Sequence, residues 1–144
     1  MNKLTIIFFI TLSIFIPSSC SSYYVSIQDL QKEFSAIDSA QLIRVKTKGI
    51  YEETYTYLAN PINSISCIDR RNNTIRISNS PSVEMKVAET NKNITTLYLD
   101  RIFIKDSVLY GFESRISENL KRIPLKNIEN IELLINNQIF SYVD

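Results

Sequence analysis

The chain has 144 residues, of which 44% are hydrophobic and 22% charged, a composition typical of one folded domain and not of a disordered protein. It has no histidine and only two glycines. It therefore lacks the base of Ser-His-Asp and Cys-His catalysis, the commonest zinc ligand, and the glycine-rich loop that cradles phosphates. The net charge of +1 argues against a nucleic-acid partner, and we expect no cofactor and no metal.

The first nineteen residues have the pattern of a secretory signal, which is removed from the mature protein. Lys3 supplies the positive charge, and residues 4–16 form an apolar stretch. That stretch is shorter than the roughly 20 residues that a transmembrane helix needs. Removing residues 1–19 takes away only Lys3, so the remaining basic and acidic residues balance.

The segment Pro17-Ser18-Ser19-Cys20 follows the apolar stretch. Small residues directly before a cysteine resemble the lipobox of bacterial lipoproteins, although Pro17 stands where the strict pattern has Leu, Val or Ile. The looser Ser-Ser-Cys-Ser form and the Ile/Asn/Lys-rich composition resemble lipoproteins of Bacteroidota. The resemblance implies cleavage before Cys20, acylation of Cys20, and a tether over residues 20–25 that leads to a domain of residues 26–144. The alternative is an ordinary secretory signal that ends near a cysteine.

No acidic cluster follows Cys20, whereas such a cluster resembles the surface-export signal of Bacteroidota lipoproteins. We therefore expect a cell-envelope protein that is lipid-anchored to the outer membrane on its periplasmic face. The expected partners are the membrane and a protein of the envelope. With Cys20 acylated, Cys67 is the remaining cysteine, and its apolar neighbours predict a small buried hydrophobic residue.

One amphipathic helix is predicted over residues 26–37. Ile27, Leu30, Phe34 and Ile37 recur at helical spacing, and Ser26 is placed to cap the N-terminus. We expect this helix to pack across an open end or a face of a sheet.

From residue 41 the hydrophobic period becomes two, and polar turns separate the apolar segments. The pattern predicts about nine short strands at the spacing typical of sandwiches and barrels. We therefore predict an all-β fold, a mainly antiparallel small barrel or sandwich, with one short N-terminal helix. The predicted strands cover residues 42–47, 51–58, 63–68, 74–78, 83–87, 98–105, 108–113, 131–135 and 139–143.

Two hairpins are predicted near the C-terminus. The first turns at Asp106-Ser107, and the second joins residues 131–135 to residues 139–143. The spacing of Ile128 and Ile131 predicts one helical or 3₁₀ turn before the second hairpin.

Within the first hairpin, Gly111 lies in an aromatic strand and predicts a bulge, a sharp bend or a close approach of the backbone. Residues 97–135, with the turn Ile123-Pro124-Leu125 before a last strand, resemble small SH3-like and Sm-like barrels. Such barrels often bind RNA, which the balanced charge and the envelope address argue against here.

A tyrosine stripe is the first candidate ligand surface. Tyr51, Tyr55 and Tyr57 alternate along one predicted strand and could stack against a sugar or a peptide. The alternative is a sheet face covered by the helix or by a second sheet. The absence of tryptophan weakens the sugar interpretation.

Two serines are candidate modification sites. Ser39 and Ser107 each follow an aspartate and precede an apolar residue, which resembles the Asp-Ser/Thr-apolar acceptor of Bacteroidota protein O-glycosylation. Both lie in predicted loops, and ordinary turn chemistry is the alternative.

Two charged pairs have simple interpretations. The adjacent residues Glu52 and Glu53 would point to opposite faces of a strand, so they cannot cooperate in catalysis. Arg70 and Arg71 lie in a predicted turn and are expected to be solvated, although a phosphate could bind there.

Two functions follow from these patterns. The first is a non-catalytic, membrane-anchored lipoprotein that acts as a small interaction or structural module. The alternative is a small periplasmic hydrolase that uses carboxylates alone. The alternative requires a pocket with two carboxylates about 5–9.5 Å apart.

Overall fold

The structure is a computed structural model that describes residues 21–135 and 139–144. The described residues form twelve strands, one α-helix and two 3₁₀ turns, and the strand pairs are all antiparallel. The predicted all-β class with a single short helix is therefore confirmed. The described chain contains no helix long and apolar enough to cross a membrane.

The elements follow the chain in a simple order, with α1 (Ile27–Phe34) between the first two strands and the 3₁₀ turns at Leu99–Arg101 and Leu125–Asn127. The strands are β1 Ser21–Tyr24, β2 Ile43–Gly49, β3 Thr54–Ala59, β4 Ser64–Ile68, β5 Thr74–Ser78, β6 Val83–Glu89, β7 Ile94–Tyr98, β8 Ile102–Lys105, β9 Val108–Phe112, β10 Leu120–Pro124, β11 Ile128–Ile135 and β12 Phe140–Val143.

The helix forms where the apolar spacing predicts it. Its N-terminus is capped by Ser26, whose Oγ accepts a hydrogen bond of 3.0 Å from the backbone N–H of Asp29. Leu30 and Phe34 are completely buried, and the helix packs against β4 and β8. Ile37 lies beyond the helix but still packs against the core.

The largest sheet has six strands in the order β5-β4-β1-β11-β6-β7. β1 lies between β4 and β11, with Ser21 opposite Ile135 and Tyr24 opposite Ile68. The expectation of a tether over residues 20–25 is therefore wrong for its described part. Four residues are too few to show a period of two in the sequence, but β11 pairs with all four and β4 adds a second partner at Tyr24.

The second sheet, in the order β10-β9-β8, shares one hydrophobic core with the six-stranded sheet and α1. Within residues 21–135 and 139–144 no sheet closes on itself, so the barrel alternative is not observed. The core residues with the largest fully buried side chains are Phe34, Leu30, Ile65, Met85, Leu97, Leu99, Ile102, Leu109, Ile131 and Leu133.

The third sheet has the order β12-β2-β3. β12 pairs with β2, with Phe140 opposite Gly49 and Val143 opposite Lys46, so the predicted hairpin between residues 131–135 and 139–143 is wrong. β11 is already bonded along both edges, by β1 and by β6, and has no free edge for β12.

The spacing of Ile128 and Ile131, which predicts a helical or 3₁₀ turn, has a different structural cause. A 3₁₀ turn exists, but it covers Leu125–Asn127 and ends before Ile128. Ile128 and Ile131 are both buried within β11 because the register against β6 shifts between Ile128 and Asn130. A β-bulge therefore produces the three-residue spacing that resembles a helical turn.

Gly111 is required by a close approach and not by a bulge. It pairs in regular register with Ile102 and Lys121, and its φ is not positive. A Cβ atom there would lie 2.7 Å from Cδ1 of Leu97 and 2.9 Å from Cγ2 of Ile102. The missing side chain leaves room at Gly111 for the side chains of Leu97 from β7 and of its paired neighbour Ile102 in β8.

Candidate functional site

The three tyrosines of the predicted stripe do not form one surface. Tyr51 precedes β3, in the turn between β2 and β3, and is 84% exposed. The backbone N–H of Gly49 bonds to the carbonyl of Glu53 at 2.8 Å and closes that turn. Tyr55 is half-buried, with its ring centroid 6.0 Å from that of Phe140, and Tyr57 is buried.

The two charged pairs lie in turns. Glu52 adopts a φ of 68° and forms an exposed ion pair of 2.7 Å with Lys48. Arg70 and Arg71 are exposed in the β4–β5 turn, and Nη2 of Arg70 donates to Oγ of Ser22 at 3.4 Å. Surface contacts of this kind contribute little to stability.

Both candidate glycosylation serines are exposed. Ser39 lies in the turn region after α1, where Oδ1 of Asp38 accepts a 2.7 Å hydrogen bond from the backbone N–H of Ala40. Ser107 lies with Asp106 in the two-residue turn between β8 and β9, at φ values of 59° and 51°. Their exposure permits modification, which stays a prediction.

The structure describes one of the two cysteines. Cys20 lies outside the described residues, so its acylation stays a prediction. Cys67 lies in β4 as a free thiol within the hydrophobic core, which confirms the predicted burial. Burial raises the pKa of the Cys67 thiol to about 11.

A buried polar cluster, which we call the Asp100 cluster, joins the third sheet to the rest of the domain. Asp100 lies in the 3₁₀ turn Leu99–Arg101 and is 0% exposed. Its Oδ2 accepts hydrogen bonds from the hydroxyl of Tyr57 at 2.6 Å and from that of Tyr142 at 3.0 Å. These tyrosines lie on β3 and β12, so one carboxylate binds two strands of the third sheet.

Asn60 holds the backbone of the same turn. Its N–H donates to the carbonyl of Asp100 at 2.7 Å, and its Nδ2 donates to the carbonyls of Leu99 at 2.7 Å and Ile102 at 3.0 Å. The turn is therefore held at both its backbone and its side chain. Oδ1 of Asp100 is buried without a hydrogen-bond partner in the described chain.

Burial determines the ionisation of the cluster. Loss of solvation raises the pKa of Asp100, although the hydroxyls of Tyr57 and Tyr142 and the nearby Arg115 and Arg101 act in the opposite direction. Burial, and then the charge of Asp100, raises the pKa of both tyrosines. The tyrosines therefore remain hydroxyl donors.

Two arginines flank this cluster and are themselves buried. Arg101 is 5% exposed, and its guanidinium lies 4.0 Å from the ring centroid of Phe112 and 4.9 Å from that of Tyr57. Arg115 is 8% exposed and lies 3.7 Å from the ring centroid of Tyr98 and 4.1 Å from that of Phe140. The rings stabilise the two charges by cation–π interactions.

The arginines differ in their hydrogen bonds. Nη1 of Arg101 donates to the carbonyl of Ser114, and Ser117 accepts from the same nitrogen at 3.4 Å. Both serines belong to the β9–β10 loop, so Arg101 holds the loop that carries Arg115. The Nε atoms of Arg101 and Arg115 are buried and have no partner among the described residues.

These side chains line a cleft of about 550 Å³ between β3 and the β9–β10 loop. We call it the arginine cleft. Its charged lining consists of Arg44, Arg101, Arg115 and Glu118, which leaves an excess of positive charge. The other lining residues are Thr56, Tyr57, Leu58, Phe112, Ile116 and Leu120.

Sequence reasoning reached one residue of this site, Tyr57, and missed Asp100 and the three arginines of the cleft. Asp100 and Arg101 fall inside what the pattern predicts as a continuous strand, whereas the chain turns there between β7 and β8. A signal was present, because two adjacent charges interrupt an otherwise apolar and aromatic segment. Arg115 lies in a polar loop and gives no comparable signal.

Comparison with protein-family models, with curated proteins and with solved structures gives no match for this chain. The resemblances to lipoproteins and to SH3-like barrels therefore stay hypotheses that rest on the sequence. Within the described residues, no group of three or more His, Cys, Asp or Glu side chains is placed to hold a metal ion.

Proposed function

We propose that this protein is a lipoprotein of the bacterial cell envelope, anchored through acyl chains on Cys20 to the outer membrane on its periplasmic face. Its β-rich domain acts there, without catalysis, as a small interaction or structural module. The anchor places the domain at the membrane, and the domain supplies the surface that a partner recognises.

The sequence around Cys20 carries the proposal. A basic residue, the apolar stretch of residues 4–16 and two serines directly before Cys20 follow one another in the order that resembles a lipoprotein signal. Cys20 is not part of β1 (Ser21–Tyr24), so its acylation would change no residue of the described strands. At least two acyl chains are needed for lasting attachment, since each buried methylene contributes about 0.8 kcal/mol and one chain binds reversibly.

The arrangement of carboxylates favours a binding role over the hydrolase alternative. Glu118 is the one carboxylate among the residues that line the arginine cleft. Asp100 is completely buried beneath the hydroxyls of Tyr57 and Tyr142 and presents no oxygen to solvent. A pair of accessible carboxylates, which glycoside hydrolysis requires, is not offered by these two residues.

Fractionation of cells tests the anchor. Wild type, Cys20→Ser and the matched control Cys67→Ser are expressed with a palmitate analogue, and label is measured in the membrane and soluble fractions. We expect label on wild type and Cys67→Ser, and release of unlabelled Cys20→Ser into the soluble fraction. Retention of Cys20→Ser in the membrane, or wild type without label, would show that the anchor is not a lipid on Cys20.

A further inference from the structure

We propose that the arginine cleft is a binding site for a small amphipathic anion, in which one oxyanion group, a carboxylate or a phosphate monoester, is attached to a short apolar body. The oxyanion binds the guanidinium groups at the cleft, and the apolar body lies against the aliphatic and aromatic lining.

The first argument is the state of Arg115. The residue is more than nine-tenths buried, its guanidinium packs against two aromatic rings, and its Nε is buried without a hydrogen-bond partner among the described residues. Because the rings pack against the face of the guanidinium, only the N–H groups at its edge can form hydrogen bonds. A buried donor without a partner is costly, and a planar guanidinium matches an oxyanion through parallel hydrogen bonds.

The second argument is the local charge. Arg44, Arg101 and Arg115 line the cleft with a single acid, Glu118, although the whole chain is close to neutral. Asp100 is not among the residues that line the cleft, and it is completely buried. A concave surface with one sign of charge and low-dielectric walls concentrates counter-ions of the opposite sign.

The third argument is the apolar part of the lining. Ile116 is 75% exposed and Leu58 is also exposed, and both line the cleft together with the half-buried Phe112. Exposed aliphatic side chains beside buried cations make an amphipathic surface. A purely inorganic anion would leave these side chains in water, whereas an attached apolar body would cover them.

The cleft is built before any ligand binds. Arg101 holds the carbonyls of Ser114 and Ser117, and this fixes the loop that carries Arg115, Ile116 and Glu118. The Asp100 cluster fixes β3, which carries Thr56, Tyr57 and Leu58 on the opposite wall. Binding therefore requires little ordering of the protein, which favours affinity for a small ligand.

Isothermal titration calorimetry tests this site. Each probe is titrated into the full-length chain held in zwitterionic nanodiscs, and empty nanodiscs are the blank. The probes are hexanoate, hexyl phosphate, hexanol, hexylamine and inorganic phosphate. We expect saturable binding of hexanoate, hexyl phosphate or both, weaker binding of inorganic phosphate, and none of hexanol or hexylamine. The two C6 anions distinguish a carboxylate ligand from a phosphate ester, and either one supports the site.

Variants locate the binding. Arg44 is exposed, so Arg44→Ala removes a cleft charge without disturbing buried groups, and Arg71→Ala is the matched control in a distant turn. We expect Arg44→Ala to weaken binding about tenfold, the equivalent of one charge-assisted hydrogen bond, and Arg71→Ala to leave it unchanged. Leu58→Ser should weaken the binding of the C6 anions and leave the binding of inorganic phosphate unchanged.

Three results would overturn the proposal. If neither C6 anion bound saturably, the cleft would be solvent space and not a binding site. If hexanol bound as tightly as hexanoate, the cleft would be an apolar groove that does not select anions. Equal losses from Arg44→Ala and Arg71→Ala would reduce the effect to the general charge of the surface.

Discussion

The hydroxyl of Tyr57 donates a 2.6 Å hydrogen bond to Oδ2 of Asp100, which joins β3 of the third sheet to the 3₁₀ turn between β7 and β8. Both residues are buried. The bond is charge-assisted when Asp100 is ionised, and water cannot replace it without opening the interface. This contact therefore helps to hold the third sheet against the rest of the domain, together with the bond from Tyr142 to Asp100 and the bonds of Ser82 to the backbone of Phe140.

We expect Tyr57→Phe to lower the free energy of unfolding by about 1–3 kcal/mol, because it removes a buried donor and leaves Tyr142 as the one remaining hydroxyl on Asp100. Denaturant unfolding followed by circular dichroism measures the change. Tyr51→Phe, in an exposed turn, is the control and should alter stability by less than about 0.5 kcal/mol. Equal effects of the two variants would contradict a structural role for the Asp100 contact.

Asp100 should make stability depend on pH in a direction opposite to that of an ordinary surface acid. Its pKa in the folded state is raised above the ordinary value of about 3.9, so between those two pKa values the folded state holds a proton that the unfolded state has released. The contribution of Asp100 is then fully present below pH 3.9 and is lost as the pH rises through the folded pKa.

Comparison with Asp100→Asn isolates this contribution from the other acids. The difference in unfolding free energy between wild type and Asp100→Asn should shift in favour of the variant as the pH rises from about 4, since the variant buries no charge. A series of urea titrations at different pH values measures it. A difference that is constant from pH 4 to pH 8 would show that burial does not perturb Asp100.

Gly111→Val should destabilise the domain by about 2 kcal/mol or more, because its Cβ would overlap the side chains of Leu97 and Ile102, which are both buried in the core. Gly49→Ala is the matched comparison. Its Cβ would meet the carboxylate of Glu53, at the end of a side chain that can move away, so the cost should be smaller. If Gly111→Val cost less than about 0.5 kcal/mol, the proposed overlap would be relieved by the neighbouring side chains.

Cys67 should react slowly with alkylating reagents in the folded protein. Its thiol is buried, and its pKa of about 11 leaves little thiolate at neutral pH. Mass spectrometry of the peptide that contains Cys67 measures the rate separately from Cys20. Modification should accelerate by orders of magnitude in denaturant, and equal rates with and without denaturant would show that the thiol is accessible in the native state.

The strands could be predicted from the sequence because their faces are buried unequally, which imposes a period of two on residues such as those of β5 and β6. Pairing could be predicted where a two-residue turn joins the strands, as at Asp106-Ser107 between β8 and β9. Pairing between strands far apart in the chain could not, because it depends on which edges remain free. β12 meets β2 because β1 and β6 already occupy β11. The helix followed from its apolar stripe and its cap, which are local features.

The site was harder to predict because its residues meet only through tertiary contacts. Asp100 and Tyr142 are separated by forty-two positions along the chain, and the segment between Arg115 and Phe140 includes β10 and β11. A bulge in β11 also produced a helix-like spacing between Ile128 and Ile131. Periodicity describes one element at a time, so it cannot report contacts between elements.

The position of β1 limits how far an anchored domain can extend. Consecutive Cα atoms are about 3.8 Å apart, so a lipid on Cys20 would lie one residue from a strand whose four residues all pair with β11. The domain would have no spacer of its own, and the β4–β5 turn, which contacts β1 through Arg70 and Ser22, would lie beside the headgroups. A domain anchored in this way would meet a partner only within the domain's own height of the bilayer.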